Sequence, residues 1–179
     1  SLVGSSGSGK TTLAEAMLFE SGLVKRRGSV EAGNTVSDYF PVEHEYGYSV
    51  FPTVLHVEWL NKKLNFIDCP GSDDFVGGLI TSLSVTDTAL MLINAQQGVE
   101  VGTQNQYRQI DKMGKPCIFV INQLDHEKAD YENSIENLKE NYGAKVIPIQ
   151  FPISVGPSFH ALIDVLLMKL YQWKPEGGA

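Results

Sequence analysis

The sequence predicts an α/β fold, a mostly parallel sheet with helices on both faces. Two patterns predict it. Short apolar runs of strand length alternate with stretches of helical periodicity. A glycine-rich loop joins the first run to the first helix. Residues 1–3 read as the stub of a strand and residues 4–9 as a Gly/Ser loop. From 10 to 19, Leu13, Ala14, Met17 and Leu18 recur at helical spacing, and Gly22 ends the helix. Residues 23–50 are rich in glycine, serine and charge and lack strong periodicity; loops of that length are often functional. Runs 54–59 and 64–67, separated by Asn61-Lys62-Lys63, predict an antiparallel hairpin. A buried strand over 88–94, a helix over 101–113 and a second buried strand over 117–121 follow, with Gly114 and Pro116 as breakers. A polar amphipathic helix over 131–142 closes at Gly143, and 146–149 is apolar again. Residues 159–173 fit a helix or short strands equally, because either buries Leu162, Val165, Leu166 and Leu170.

Composition bounds the function. The chain has 179 residues, 42% hydrophobic and 20% charged, which suits one globular domain with a real core. A net charge of −7 argues against DNA binding through a broad basic field. The single basic run, Lys25-Arg26-Arg27, reads as a solvated loop. Cys69 and Cys117 lie in or beside apolar runs and outside any C-x-x-C pair, so they are expected to be reduced, buried residues of a cytoplasmic protein. No apolar run approaches the ~20 residues of a membrane span. The numbering starts almost on a motif, and the natural N-terminus is expected to lie upstream.

That motif is Gly4-Ser5-Ser6-Gly7-Ser8-Gly9-Lys10-Thr11, a match to G-x-x-x-x-G-K-[ST] between a strand stub and a helix. Glycines let successive backbone N–H groups turn onto phosphate oxygens, and the helix amino end adds unpaired donors. It places the fold among P-loop NTPases. The nucleotide-binding candidates here are Gly4, Ser5, Gly7, Ser8, Gly9, Lys10, Thr11 and Thr12, with Lys10 as the cation for the β- and γ-phosphates and Thr11 as a hydroxyl ligand for Mg²⁺. Asp68-Cys69-Pro70-Gly71 ends the second hairpin run. Asp68 is positioned to hold Mg²⁺ through a water, and the Gly71 N–H to reach a γ-phosphate because no side chain blocks it. Ser49 is either a second hydroxyl for the metal or simply a loop serine.

Asn122-Gln123-Leu124-Asp125 follows the second buried strand. Guanine carries an N1–H and an exocyclic amine on one edge, and a carboxylate such as Asp125 accepts from both. Asn122 braces the loop, and Gln123 stands where such loops usually carry Lys. The expected ligands are therefore GTP and GDP with Mg²⁺. An ATP-using P-loop kinase is disfavoured by Asn122 and Asp125.

With the three motifs in order, the chain resembles the G domain of elongation factor G, a translational GTPase. The likeness extends to Gly28-Ser29-Val30-Glu31-Ala32-Gly33-Asn34-Thr35-Val36-Ser37-Asp38-Tyr39, to Glu43-His44-Glu45-Tyr46-Gly47-Tyr48-Ser49 beside the family's E-x-E-R-G-I-T, and to Asp68-Cys69-Pro70-Gly71-Ser72-Asp73-Asp74-Phe75 beside D-T-P-G-H-x-D-F. Gly98-Val99-Glu100, Gln104 and Arg108-Gln109-x-Asp111-Lys112 also fall where the family has them. The resemblance implies GTP hydrolysis catalysed with Lys10 and Gly71, a ribosome partner, a monomer, and Ser49 in place of the switch I threonine on Mg²⁺. Ser72 replaces the family's water-positioning histidine, which implies weak hydrolysis or a GTP-binding module with little of it. Gly7 and Tyr46 replace a family Asp and Arg, as in a divergent paralogue. The resemblance also implies extended structure over 159–173 and a chain that stops near the family's inserted subdomain, with the last part of the G domain and later domains absent.

Overall fold

The computed structural model describes residues 1–174; the last five residues, where the inserted subdomain was expected to begin, lie outside the described residues. Five strands form one sheet: β1 (Leu2–Val3), β2 (Thr53–Trp59), β3 (Lys62–Asp68), β4 (Ala89–Asn94) and β5 (Cys117–Asn122), in the order β2-β3-β1-β4-β5. β1 runs parallel to both β3 and β4, and β2 antiparallel to β3, so the α/β prediction with a mostly parallel sheet holds. The helices are α1 (Lys10–Glu20), α2 (Pro41–Tyr46), α3 (Val76–Val85), α4 (Val101–Lys112) and α5 (Tyr131–Tyr142). Strands β6 (Gln150–Pro152), β7 (Ala161–Asp164) and β8 (Lys169–Gln172) form a separate antiparallel sheet.

The described residues divide into two compact units, 1–92 with 100–120, and 93–99 with 121–174. In the first, Leu2, Ala14, Leu18, Leu55, Val57 and Phe66 form a buried cluster between α1 and the hairpin strands, flanked by Leu13, Met17 and Val24. The helical spacing of Ala14 and Leu18 meets the two-residue spacing of Leu55 and Val57, and burying such side chains is worth about 1.5–3 kcal/mol each. In the second unit, Asp130 caps α5 by accepting from the Asn133 N–H at 3.0 Å, and Tyr131 donates to the Gln150 carbonyl at 3.0 Å.

Several boundaries depart from the sequence reading. The hairpin turn is Leu60-Asn61, with φ of 49° and 59°, and Lys62 and Lys63 belong to β3. Two positive-φ residues make the tight turn whose twist matches the strands. β5 is half-buried rather than buried because it is an edge strand, and Cys117 is likewise only half-buried, whereas Cys69 is fully buried. The apolar run 146–149, to which the sequence reading assigns no element, lies before the strand rather than in it. Pro148 carries no N–H for a ladder, Ile147 is 74% exposed, and pairing begins at Gln150. Helix α3 has no counterpart in the sequence reading: Gly77 and Gly78 open it, and both are poor helix formers. Residues 161–164 and 169–172 are strands β7 and β8 joined by a turn at 165–168, and Val165, Leu166 and Leu170 are exposed rather than buried because two of them sit in or beside that turn and β8 is an edge strand.

Candidate functional site

The phosphate loop is in the first unit. Gly4, Gly7 and Gly9 take φ of 140°, 78° and 91°, and a Cβ on Gly4 would lie 2.5 Å from the Leu92 carbonyl oxygen. Only glycine fits there. No side chain caps the amino end of α1, whose N-cap is Gly9, and no acidic residue stands in its first turn. That end therefore presents its donors and its positive dipole end to an anion. Lys10 is buried, and its Nζ donates to the carbonyls of Gly4 at 2.9 Å and Ser5 at 3.0 Å. Burial lowers its pKa, opposed by the charges of Asp68, Cys69, Asp38 and Glu100. Ser5 is buried with its hydroxyl 3.1 Å from that of Thr103, Ser8 is buried, and Thr12 is exposed.

The three metal candidates converge. Thr11 Oγ1 and Ser49 Oγ are 3.2 Å apart, although 38 residues separate them in sequence. Asp68 is 1% exposed and neither carboxylate oxygen meets hydrogen-bonding geometry with any group. Desolvation pushes its pKa up to about 6, with the Thr11 hydroxyl, the Lys10 charge and the Ser37 hydroxyl favouring the charged form. A buried carboxylate close to the Thr11 hydroxyl, itself 3.2 Å from that of Ser49, is an all-oxygen set, which fits Mg²⁺ completed by phosphate oxygens and water. Among the described residues no group of three or more His, Cys, Asp or Glu is placed to hold a metal by itself.

Gly71 lies against the phosphate loop. A Cβ there would be 2.6 Å from Lys10 Nζ and 2.8 Å from Ser6 Cα and N. Ser72 is the N-cap of a short 3₁₀ turn, Asp73–Phe75. Its hydroxyl accepts from the Asp74 N–H and donates to the Asp74 carboxylate, each at 3.3 Å.

Residues that sequence reasoning missed hold residues 28–51 in place. Glu15, on α1, accepts from the N–H groups of Gly28 and Val36, and a Cβ on Gly28 would meet Glu15 Oε2 and the Asn34 carbonyl at 2.7 Å. Glu43, on α2, accepts from the N–H groups of Val50 at 3.0 Å, Phe51 at 3.1 Å and Phe40 at 3.2 Å. Asp38 is buried too, its pKa raised by desolvation and lowered by the Ser49 hydroxyl. A lone carboxylate in a polar stretch carries no local signal of burial.

The base-loop candidates belong to the second unit. The Asn122 carbonyl accepts from the Ala95 N–H at 3.0 Å, and the Leu124 carbonyl from the Gly156 N–H at 2.7 Å. Gln123 takes a left-handed φ of 60°, and its Oε1 accepts from Asn94 Nδ2 at 2.8 Å. Asp125 is exposed. Gln123 is thus tied to Asn94, a partner the sequence reading did not anticipate.

The profile of the elongation factor Tu GTP-binding domain matches residues 1–173. The chain is 37% identical over 172 residues to an elongation factor G-like protein of Thermotoga maritima, covering 96% of this chain and 24% of that one. It is 36% identical to elongation factor G of Mycoplasma genitalium, covering 91% and 24%, and 33% identical to mitochondrial ribosome-releasing factor 2 of Debaryomyces hansenii, covering 96% and 20%. A crystal structure of a Thermus thermophilus protein superposes with a TM-score of 0.91 at 36% identity, over 97% of this chain and 26% of that one. The chain spans about a quarter of the length of these relatives. No described helix is long and apolar enough to cross a membrane. Fold, motifs and relatives agree that the chain belongs to the elongation factor Tu GTP-binding domain family, on its elongation factor G-like side.

Proposed function

We propose that the chain binds GTP and GDP with Mg²⁺ and hydrolyses GTP as part of an elongation factor G-like translation factor acting on the ribosome. The convergence of Thr11, Ser49 and the buried carboxylate of Asp68 beside Lys10 carries this reading. Thr11 and Ser49 would ligate Mg²⁺ and Asp68 would act through a water; the metal supplies charge neutralisation at the phosphates. Lys10 and the loop N–H groups bind phosphate oxygens, and Gly71 directs its N–H at the γ-phosphate. In the second unit Asp125 accepts from the guanine edge, with Asn122 bracing the loop and Gln123 held by Asn94. Relatives named elongation factor G and ribosome-releasing factor support translocation or recycling as the task; a monomer working in the cytoplasm is part of the same proposal and rests on the family resemblance alone.

A second reading, GTP binding with little hydrolysis, is favoured by Ser72. Its side chain is shorter than that of histidine, and its hydroxyl caps the short turn, accepting from the Asp74 N–H and donating to the Asp74 carboxylate. Phosphate release by the full-length protein, with and without ribosomes and beside Ser72→His, separates the two. Robust wild-type turnover supports the enzyme. Turnover near background that His restores supports the binding module. GTP affinity no better than ATP affinity would defeat both readings.

A further inference from the structure

Gln106, on α4, is 4% exposed and spends its whole amide on two glycines. Its Oε1 accepts from the Gly4 N–H at 2.6 Å, and its Nε2 donates to the Gly4 carbonyl and the Gly71 carbonyl, both at 3.2 Å. The Gly4 carbonyl also accepts from Lys10 Nζ, so loop, lysine, amide and Gly71 form one network. The same helix is tied to the same segment a second time, Asn105 Nδ2 to Asp73 Oδ2 at 2.7 Å. One turn earlier, Gly102 leaves room for Ser5, whose hydroxyl would be 3.0 Å from a Cβ there.

Gly71 has no side chain to restrain its own backbone, and a freely rotating glycine costs entropy each time it is ordered. Anchoring its carbonyl to a buried amide removes that freedom in advance. We propose that Gln106 is a positioning residue for the terminal phosphate. It holds Gly71 in register with the phosphate loop, so that the Gly71 N–H is set for a γ-phosphate before the nucleotide arrives. The inference rests on the GTP reading above. GDP has no γ-phosphate for Gly71 to meet, so the preference for GTP over GDP depends on Gln106.

The test titrates the full-length protein with fluorescent GDP and with a non-hydrolysable GTP analogue in wild type, Gln106→Glu and Gln106→Met. Glutamate keeps the acceptor for the Gly4 N–H and loses both donors. Its second carboxylate oxygen then faces the Gly4 and Gly71 carbonyls, so both affinities fall, and the analogue is expected to lose about tenfold more than GDP because only its γ-phosphate uses Gly71. Methionine also strands Gly4, so both affinities fall, with the analogue again losing about tenfold more. GDP binding in the same samples reports that the variants fold. On ribosomes, KM for GTP rises with kcat nearly unchanged, as for an interaction shared by ground and transition states. Equal losses for the two nucleotides in both variants would overturn the proposal. A wild type that binds neither nucleotide would overturn the GTP reading itself, and the proposal with it.

Discussion

Asp68→Asn is expected to stabilise the protein when metal and nucleotide are absent, while abolishing the gain in stability that Mg²⁺ and GTP confer. Asp68 is 1% exposed, and desolvation raises its pKa from 3.8 to about 6. At about 1.4 kcal/mol per tenfold change in proton affinity, that gap amounts to about 3 kcal/mol of cost for keeping the carboxylate charged in the fold near neutral pH. Asparagine removes the charge and keeps the shape. Its amide must find partners among neighbours such as Thr11 and Ser37, so a net gain of about 1–3 kcal/mol is expected. Below pH 3.8 the folded and unfolded chains both hold the proton and the cost vanishes. Between 3.8 and about 6 only the folded chain holds it, so stability falls as pH rises, and above about 6 the full cost is present. Urea unfolding in EDTA across that window, wild type beside Asp68→Asn, reads the difference directly. The reasoning is refuted if the variant is no more stable at neutral pH, or if the gap does not close on acidification.

Gly71→Ala places a Cβ 2.6 Å from Lys10 Nζ and 2.8 Å from the Ser6 backbone, so GTP-analogue affinity should drop about tenfold or more with GDP affinity little changed, by equilibrium titration. Glu43→Gln turns one of two accepting oxygens into a donor facing an N–H group; a loss of about 2 kcal/mol should appear as about thirtyfold faster amide exchange at Val50 and Phe51 or at Phe40. Asp125→Asn should weaken GTP by about a hundredfold and favour xanthine nucleotides, whose edge carries an oxygen where guanine has its amine, in competition binding. Cys117, whose thiol burial pushes up to about 12, should resist thiol-directed reagents near pH 8 in the folded protein and react on unfolding.

The phosphate loop, the Asp68 segment and the base loop were legible because each couples a short pattern to a strand end. Backbone geometry at Gly4, Gly7 and Gly9 is nearly dictated by the residues themselves. The middle of the chain was not legible, for a physical reason. From 28 to 51 every fully buried residue is glycine or polar, namely Gly28, Thr35, Ser37, Asp38, Glu43 and Ser49. Val36, Tyr39, Phe40, Tyr46, Tyr48 and Phe51 are exposed. Hydrophobic periodicity reads elements through apolar burial, and here that relation is inverted. Helix α2 went unseen for this reason, and with it the role of Glu43. Gln106 escaped for another reason: its partners, Gly4 and Gly71, are 102 and 35 residues away, and no local pattern announces them.

The inverted segment behaves unlike the rest of the protein when it opens. Releasing residues 28–51 frees backbone N–H groups, hydrates the carboxylates of Glu15 and Glu43, and uncovers only the covered parts of side chains such as Phe40, Tyr48 and Phe51, none of them fully buried. Heat-capacity change and denaturant sensitivity both follow newly exposed area, so both should be smaller for this motion than for an opening that uncovers the cluster under α1. Hydration of the two carboxylates weighs on its equilibrium beside that area, and a divalent cation bridging Thr11 and Ser49 acts on the polar contacts that hold it shut.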